Sequence, residues 1–318
     1  MKKYRPIALR RLKRYSLKER KSKVDHSALG KPTEVPTGIQ NFIETLPDIL
    51  AAKDLKEVIQ TIVKARKGDR PVVLGMGAHP VKVGLSPLII DAMKEGIITA
   101  IATNGATVVH DFEMAYQGQT SEDVLAELSD GSFGMARETG RLLNRAIKKG
   151  AEQSLGLGEA VGKMIWEGRF PYKDLSVLAT AFRLDIPFTV HVAIGTDIIH
   201  MHPECDGKSL GETSYRDFKK FISVVADLEG GVFINLGSSV LIPEVFLKAV
   251  TVARNLGSPL KNITTLTMDF MRHYRPMVNV VQRPTAEGGR GYYITGHHEI
   301  MFPLLLGAVK ERLAISAS

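Results

Sequence analysis

PVVLGMGAHPVKVGLSPLIIDAMKEGIITAIATNGATVVHDFE, residues 71–113, holds two apolar β-rich runs, Val72–Leu74 and Ile97–Ala102. Each enters a glycine turn, at Gly75/Gly77 and at Thr103-Asn104-Gly105, and a helical pattern from Ser86 to Glu95 lies between them. Strand, turn, helix, strand, turn is a βαβ unit with parallel strands. Open α/β sheets bind ligands at the carboxyl ends of such strands, where backbone N–H groups and helix N-termini converge. The expected fold class is α/β, a Rossmann-like, doubly wound, mostly parallel sheet.

Outward from this unit, Gly30–Gly38 carries Pro32 and Pro36 and reads as a linker. It divides a basic N-terminal arm and linker, residues 1–38, from a single α/β domain over 39–318. Residues 39–67 have helical apolar spacing interrupted at Pro47, which allows one kinked helix or two. Residues 121–167 read as helical, with Glu122 and Asp123 placed for the helix dipole. Further strands are expected at 176–181, 185–194, 232–236 and 263–268, and helices at 217–228, 243–254 and the C-terminus. The segment GVFINLGSSVLIPEVFLKAV repeats the strand, small-residue turn and helix of residues 71–94, as two mononucleotide-type halves would.

The net charge of +8 is unevenly distributed. Residues 1–23 hold eleven Lys or Arg and one Glu, so the remaining chain carries 31 basic and 33 acidic side chains. The pI of about 9.4 belongs to the arm. Its expected state is solvated, or docked on a neighbouring subunit, with a nucleic-acid role disfavoured. Charged content of 24% and hydrophobic content of 44% suit a globular protein, and no apolar run approaches the roughly 20 residues that span a bilayer. One cysteine, Cys205, excludes an internal disulfide. With no secretory signal, a cytoplasmic location is the expectation.

Three regions hold candidate chemistry. Gly75-Met76-Gly77 lets backbone approach a phosphate, although Pro80 stands where a third fingerprint glycine would fall. His110, Asp111 and Glu113 follow the Thr103-Asn104-Gly105 turn and suit proton transfer or the grip of an ammonium group. The segment 191–206 gathers His191, Asp197, His200, His202, Glu204, Cys205 and Asp206, donors that suit zinc, manganese or iron without matching a defined metal motif. Gly288–Gly291 and Gly296–Glu299 read as a late lid or intersubunit loop.

Taken in order, these segments resemble deoxyhypusine synthase from about residue 71 onward. The Gly77–Gly84 turn and helix resemble that family's first cofactor loop, and Thr103-Asn104-Gly105-Ala106 is similar to its Thr-Ala-Gly-Gly turn. Ile186-Pro187, Thr196-Asp197, Leu236-Gly237-Ser238-Ser239-Val240 and Phe302-Pro303-Leu304-Leu305 are similar to later family segments. The resemblance implies an NAD-binding subunit, a homotetramer and active sites between subunits. The family's imine-forming lysine falls on Ile242, and Lys248 lies six residues beyond it. Asn104-Gly105-Ala106 with Val109–Glu113 also resembles the cofactor domain of bifunctional arginine dihydrolase/ornithine cyclodeaminase proteins.

Both relatives imply NAD-dependent oxidation of an amine or amino acid to an imine, by an enzyme other than deoxyhypusine synthase itself. Gly75, Gly77, Gly84, Thr103, Asn104, Gly105, Gly237 and Ser238 are expected to line the NAD. Asp197 and Glu113 are expected to hold a cationic amine, with His110 or His191 as acid/base. The alternatives are a metal-dependent hydrolase built on residues 191–206 and a non-catalytic NAD-binding scaffold.

Overall fold

Six strands, all parallel, form the central sheet: β1 (Val72–Met76), β2 (Ala100–Asn104), β3 (Phe188–His191), β4 (Val232–Leu236), β5 (Thr264–Asp269) and β6 (Arg290–Thr295). Their spatial order is β3-β2-β1-β4-β5-β6. This is the doubly wound Rossmann order, in which the chain reverses direction between β1 and β4 and leaves a crevice there. The computed structural model describes residues 12–20, 24–25, 38–46 and 48–315. The Gly30–Gly38 linker, apart from Gly38, lies outside the described residues.

The helices are α1 (Ile39–Thr45), α2 (Leu50–Lys67), α3 (Ser86–Lys94), α4 (Gly105–Gln117), α5 (Arg137–Glu152), α6 (Leu157–Glu167), α7 (Val177–Arg183), α8 (Gly207–Ala226), α9 (Leu241–Asn255) and α10 (His298–Ile315). β1 is apolar at alternate positions on both sides because both faces of the sheet are covered. Val72, Leu74 and Met76 pack with residues of α2, α3 and α10, whereas Val73 packs with Phe221 of α8 and Phe246 and Ala249 of α9. On the second face Phe233 stacks flat on Phe246 with ring centroids 3.8 Å apart.

Several expected boundaries move. Residues 39–67 are two helices, α1 and α2. Residues 121–167 break into a turn at Val124–Glu127 followed by α5 and α6. The expected strand at 176–181 is the helix α7. Ser176 caps α7 by accepting from Ala179 N, and buried Asp111 accepts from the N–H groups of Val177 and Leu178 at 2.7 and 3.2 Å. These donors define a helix start, and they overrule the β-like composition. Burial nevertheless pushes the Asp111 carboxyl up to about 6.

Residues 12–20 of the arm dock on this chain's own body, contrary to the expected solvated arm. Tyr15 bridges to Ala136 at the start of α5, Arg14 pairs with Glu204 at 2.6 Å, and Arg20 is buried. No helix among the described residues is long and apolar enough to cross a membrane.

Candidate functional site

At the switch point the turns after β1 and β4 touch. Gly77 N–H donates to Leu236 O at 3.2 Å, and a Cβ on Gly77 would stand 2.6 Å from Gly237 O. Only glycine allows that approach. Gly237 has φ +64° and lies beneath the His298 ring. His298 Nε2 is 3.3 Å from Met268 O, so this nitrogen carries the proton and Nδ1 is left as an acceptor. That Nδ1 is buried without a hydrogen-bond partner among the described residues. His79 and Phe270 close around it, with ring centroids 5.2 and 6.0 Å from His298. Burial lowers the pKa of both histidines, which keeps them neutral. Ser238 Oγ accepts from Ile242 N at 3.3 Å in the first turn of α9.

Beside this crevice lies a cavity of about 190 Å³ lined by Lys82, Ala106, His110, Asp197 and Ile198, with Arg20, Glu113 and Glu122 also in its wall. Thr120 has one hydroxyl proton, which goes to Glu113 Oε2 at 2.6 Å. Its oxygen therefore accepts from His110 Nδ1–H at 2.7 Å, which fixes the tautomer and leaves Nε2 as the free acceptor. Burial, with Lys82 and Arg20 nearby, pushes the His110 pKa down to about 3. Asp197 stands against Gly105 at the start of α4, and its Oδ2 is buried without a hydrogen-bond partner among the described residues. Burial pushes its carboxyl up to about 6. Gly105 is required here, because a Cβ would lie 2.2 Å from Asp197 Oδ2.

Arg20 locks the cavity wall. Its guanidinium reaches both oxygens of Glu113 at 2.8 and 2.5 Å and Glu122 at 2.7 Å. Thr139 adds a hydrogen bond to Glu113 at 3.0 Å, and Gly134 N–H donates to Glu122 at 2.7 Å.

The expected site residues thus divide. His110 and Asp197 share the cavity, and Gly77, Gly237 and Ser238 share the crevice. Glu113 is held by Arg20, Thr120 and Thr139, so its role is support rather than the grip of an amine. His191 packs on Phe221 at 5.3 Å and bonds Thr189, and burial alone drives its pKa to about 3. It sits in the core beside α8, away from the cavity, because Thr189 and His191 share one face of β3. Gly75 is a packing glycine: its missing Cβ makes room for Phe233 and Ile242, at 2.6 and 2.7 Å. Thr103 donates to Met76 O, Asn104 caps α4, and Gly84 (φ +83°) ends the turn at His79–Lys82. Sequence reasoning did not assign roles to His79 and Lys82, although both stand in the first glycine turn. It also missed Phe270 and Arg20.

The 191–206 histidines do not converge. His200 Nδ1 accepts from Gly195 N, and His202 Nε2 meets Gly134 O. Among the described residues no three His, Cys, Asp or Glu side chains group to hold a metal ion, which removes the basis for the hydrolase alternative. Ile242 is buried in the core, and Lys248 is an exposed residue paired with Glu244, so neither offers an amine to the crevice.

No family model matches the chain, and no curated protein matches it in sequence. Solved structures share its fold at low identity. AgrE in complex with ornithine and NAD+ aligns at TM-score 0.53 and 13% identity over 83% of this chain. ArgZ, an arginine dihydrolase from the ornithine–ammonia cycle in cyanobacteria, aligns at 0.51 and 14% over 83%. The chain spans about a third of either protein, 33% of each. A conserved protein from Methanococcus maripaludis S2 assigned to the LOR/SDH group aligns at 0.51 and 16%, over 89% of this chain and 73% of its own. An Entamoeba histolytica protein assigned as a deoxyhypusine synthase reaches only 0.46 and carries no argument. The likeness is one of fold: a Rossmann-like α/β sheet shared with proteins of which one was solved with NAD+.

Proposed function

We propose that this protein binds NAD in the crevice between β1 and β4 and oxidises a small amine or amino acid held in the adjoining cavity. The observation that carries this reading is the adjacency of the two: His79 begins the helical turn whose last residue, Lys82, lines the cavity. The crevice residues fit a dinucleotide. The turns after β1 and β4 meet at Gly77 and Gly237, Ser238 Oγ is a neutral acceptor in the first turn of α9, and His298 Nδ1 is an orphaned acceptor. When bound, NAD+ supplies the hydride acceptor for oxidation at a nitrogen-bearing carbon.

The chain's own residues supply charge and proton handling. Lys82 matches a substrate carboxylate. Asp197 matches its ammonium group and, with its carboxyl near 6, is suited to take a proton at neutral pH. His110 remains neutral and offers only the Nε2 lone pair, which makes it an orienting acceptor. These assignments exchange the roles expected from sequence, because burial disfavours charge on both groups and leaves only the carboxylate with a matched pKa.

The test is calorimetric titration with NAD+, followed by a screen of amines and amino acids for NADH absorbance. Asp197→Asn keeps the side chain's shape beside Gly105 and removes the titrating carboxyl, and it should lower turnover about a hundredfold or more while leaving NAD+ affinity unchanged. Absence of NAD+ binding refutes the cofactor reading; unchanged turnover removes Asp197 from proton transfer.

A further inference from the structure

We infer that α5, the groove between α5 and α6, and the docked arm together form a binding surface for single-stranded nucleic acid. Arg137, Arg141, Arg145 and Lys149 recur every four residues along α5, a stripe about 18 Å long at the helical rise per residue. Arg137, Arg145, Lys148 and Lys149 are exposed, and no ion pair joins these α5 cations to an acid among the described residues. Elsewhere the surface is laced with pairs, such as Lys220–Glu159 and Lys248–Glu244. The body beyond residue 23 carries more acids than bases, so this stripe is a local excess.

The fold extends the stripe. Docking of residues 12–20 brings the arm to the N-terminal end of α5, where Arg137 N–H donates to Tyr15 O at 2.8 Å and Leu17 N–H donates to Glu138 at 2.8 Å. Glu138, an acid in the first turn of α5, is thereby tied to the arm. Exposed Lys13 joins the basic surface there.

At its other end the stripe borders a groove of about 340 Å³. Arg145, Lys149 and Lys163 stand on its rim, while Leu142, Leu155 and Met164 give it an apolar lining. Glu167 is the one acid in the lining. Cations beside an apolar slot match phosphates beside an unstacked base. A duplex keeps its bases stacked inside and offers nothing for the slot, so the fit is to a single strand.

The experiment is fluorescence anisotropy of the full chain with a 20-nucleotide single-stranded RNA, from 50 to 200 mM salt. About five phosphate contacts give a slope near −3.5 in log K against log salt, roughly a hundredfold loss across that range. Arg137→Glu/Arg145→Glu/Lys149→Glu should weaken binding at 50 mM salt at least tenfold. Lys94→Glu/Lys219→Glu/Lys261→Glu changes net charge equally on exposed sites elsewhere and should leave it within threefold. Thermal melts of both variants should match the parent protein. The inference is overturned by no binding at 50 mM salt, equal loss in both variants, preference for the duplex, or binding confined to anionic phosphatidylserine vesicles. A change of oligomeric state in the α5 variant with RNA affinity intact also overturns it, by making this face a contact between copies of the chain.

Discussion

Replacing Arg20 by Met should be among the most damaging changes available outside the hydrophobic core. Arg20, Glu113 and Glu122 are 6, 0 and 7% exposed, so one guanidinium neutralises two carboxylates that water barely reaches. Methionine fills much of the space and removes the charge. Glu113 keeps its bonds from Thr120 and Thr139, and Glu122 keeps Gly134 N–H, but both lose their counter-ion. Breaking a buried pair from one side costs about 3–5 kcal/mol. With an m value of about 3 kcal/mol/M, the urea midpoint should fall by roughly 1–1.7 M. Adding Glu113→Gln and Glu122→Gln to Arg20→Met should restore most of the loss, since no buried charge then remains uncompensated. Lys248→Ala, which breaks an exposed pair with Glu244, serves as the control and should change stability by less than about 1 kcal/mol. A loss below about 1 kcal/mol for Arg20→Met, or no recovery in the triple variant, would refute the reasoning.

Two further outcomes concern pH. Asp217 accepts from Gly158 N and Val190 N at 2.9 and 2.8 Å, yet burial pushes its carboxyl from 3.8 up to about 7. The folded state therefore holds this proton more tightly than the unfolded state. The associated stability is present below about pH 4 and is lost as pH rises through 7. Relative to Asp217→Asn, the parent protein should lose up to about 4 kcal/mol between pH 4 and 8 in urea titrations, and a constant difference would contradict this. On the proposed activity, kcat/KM should fall on the acid side near pH 6 as Asp197 protonates, and a pH–rate profile flat from 5 to 8 would exclude Asp197 as the proton acceptor.

The sheet was legible in the sequence wherever a strand is buried on both faces. β1 and β4 read as short, mostly apolar runs entering a glycine turn, and the structure has them there. The segment 177–183 misled because its helical state depends on Asp111, about 65 residues away in sequence. His110 lies on α4 and His191 ends β3, and the sequence offered both as acid/base candidates, yet one reaches a cavity and the other faces α8. Which face of a helix or strand a side chain takes decides that difference, and composition does not encode it. Arg20 was illegible for another reason. Its partners lie 93 and 102 residues downstream, and within a run of eleven cations nothing marks one as buried.

Asp197 sets a polarity for whatever enters the site. A helix N-terminus ordinarily attracts an anion, but at α4 the protein sets its own carboxylate, Asp197, against Gly105 in the first turn. A phosphate arriving there meets a resident negative charge in place of open donors. Past β4, Ser238 Oγ is neutral, and the acid in the first turn of α9, Glu244, is paired with Lys248 and Arg275. The two glycine turns look interchangeable in sequence and act as opposites: one repels what the other admits. On the proposed reading, a long, lopsidedly charged ligand lies across the sheet with its anionic stretch toward α9 and its neutral or cationic end toward α4.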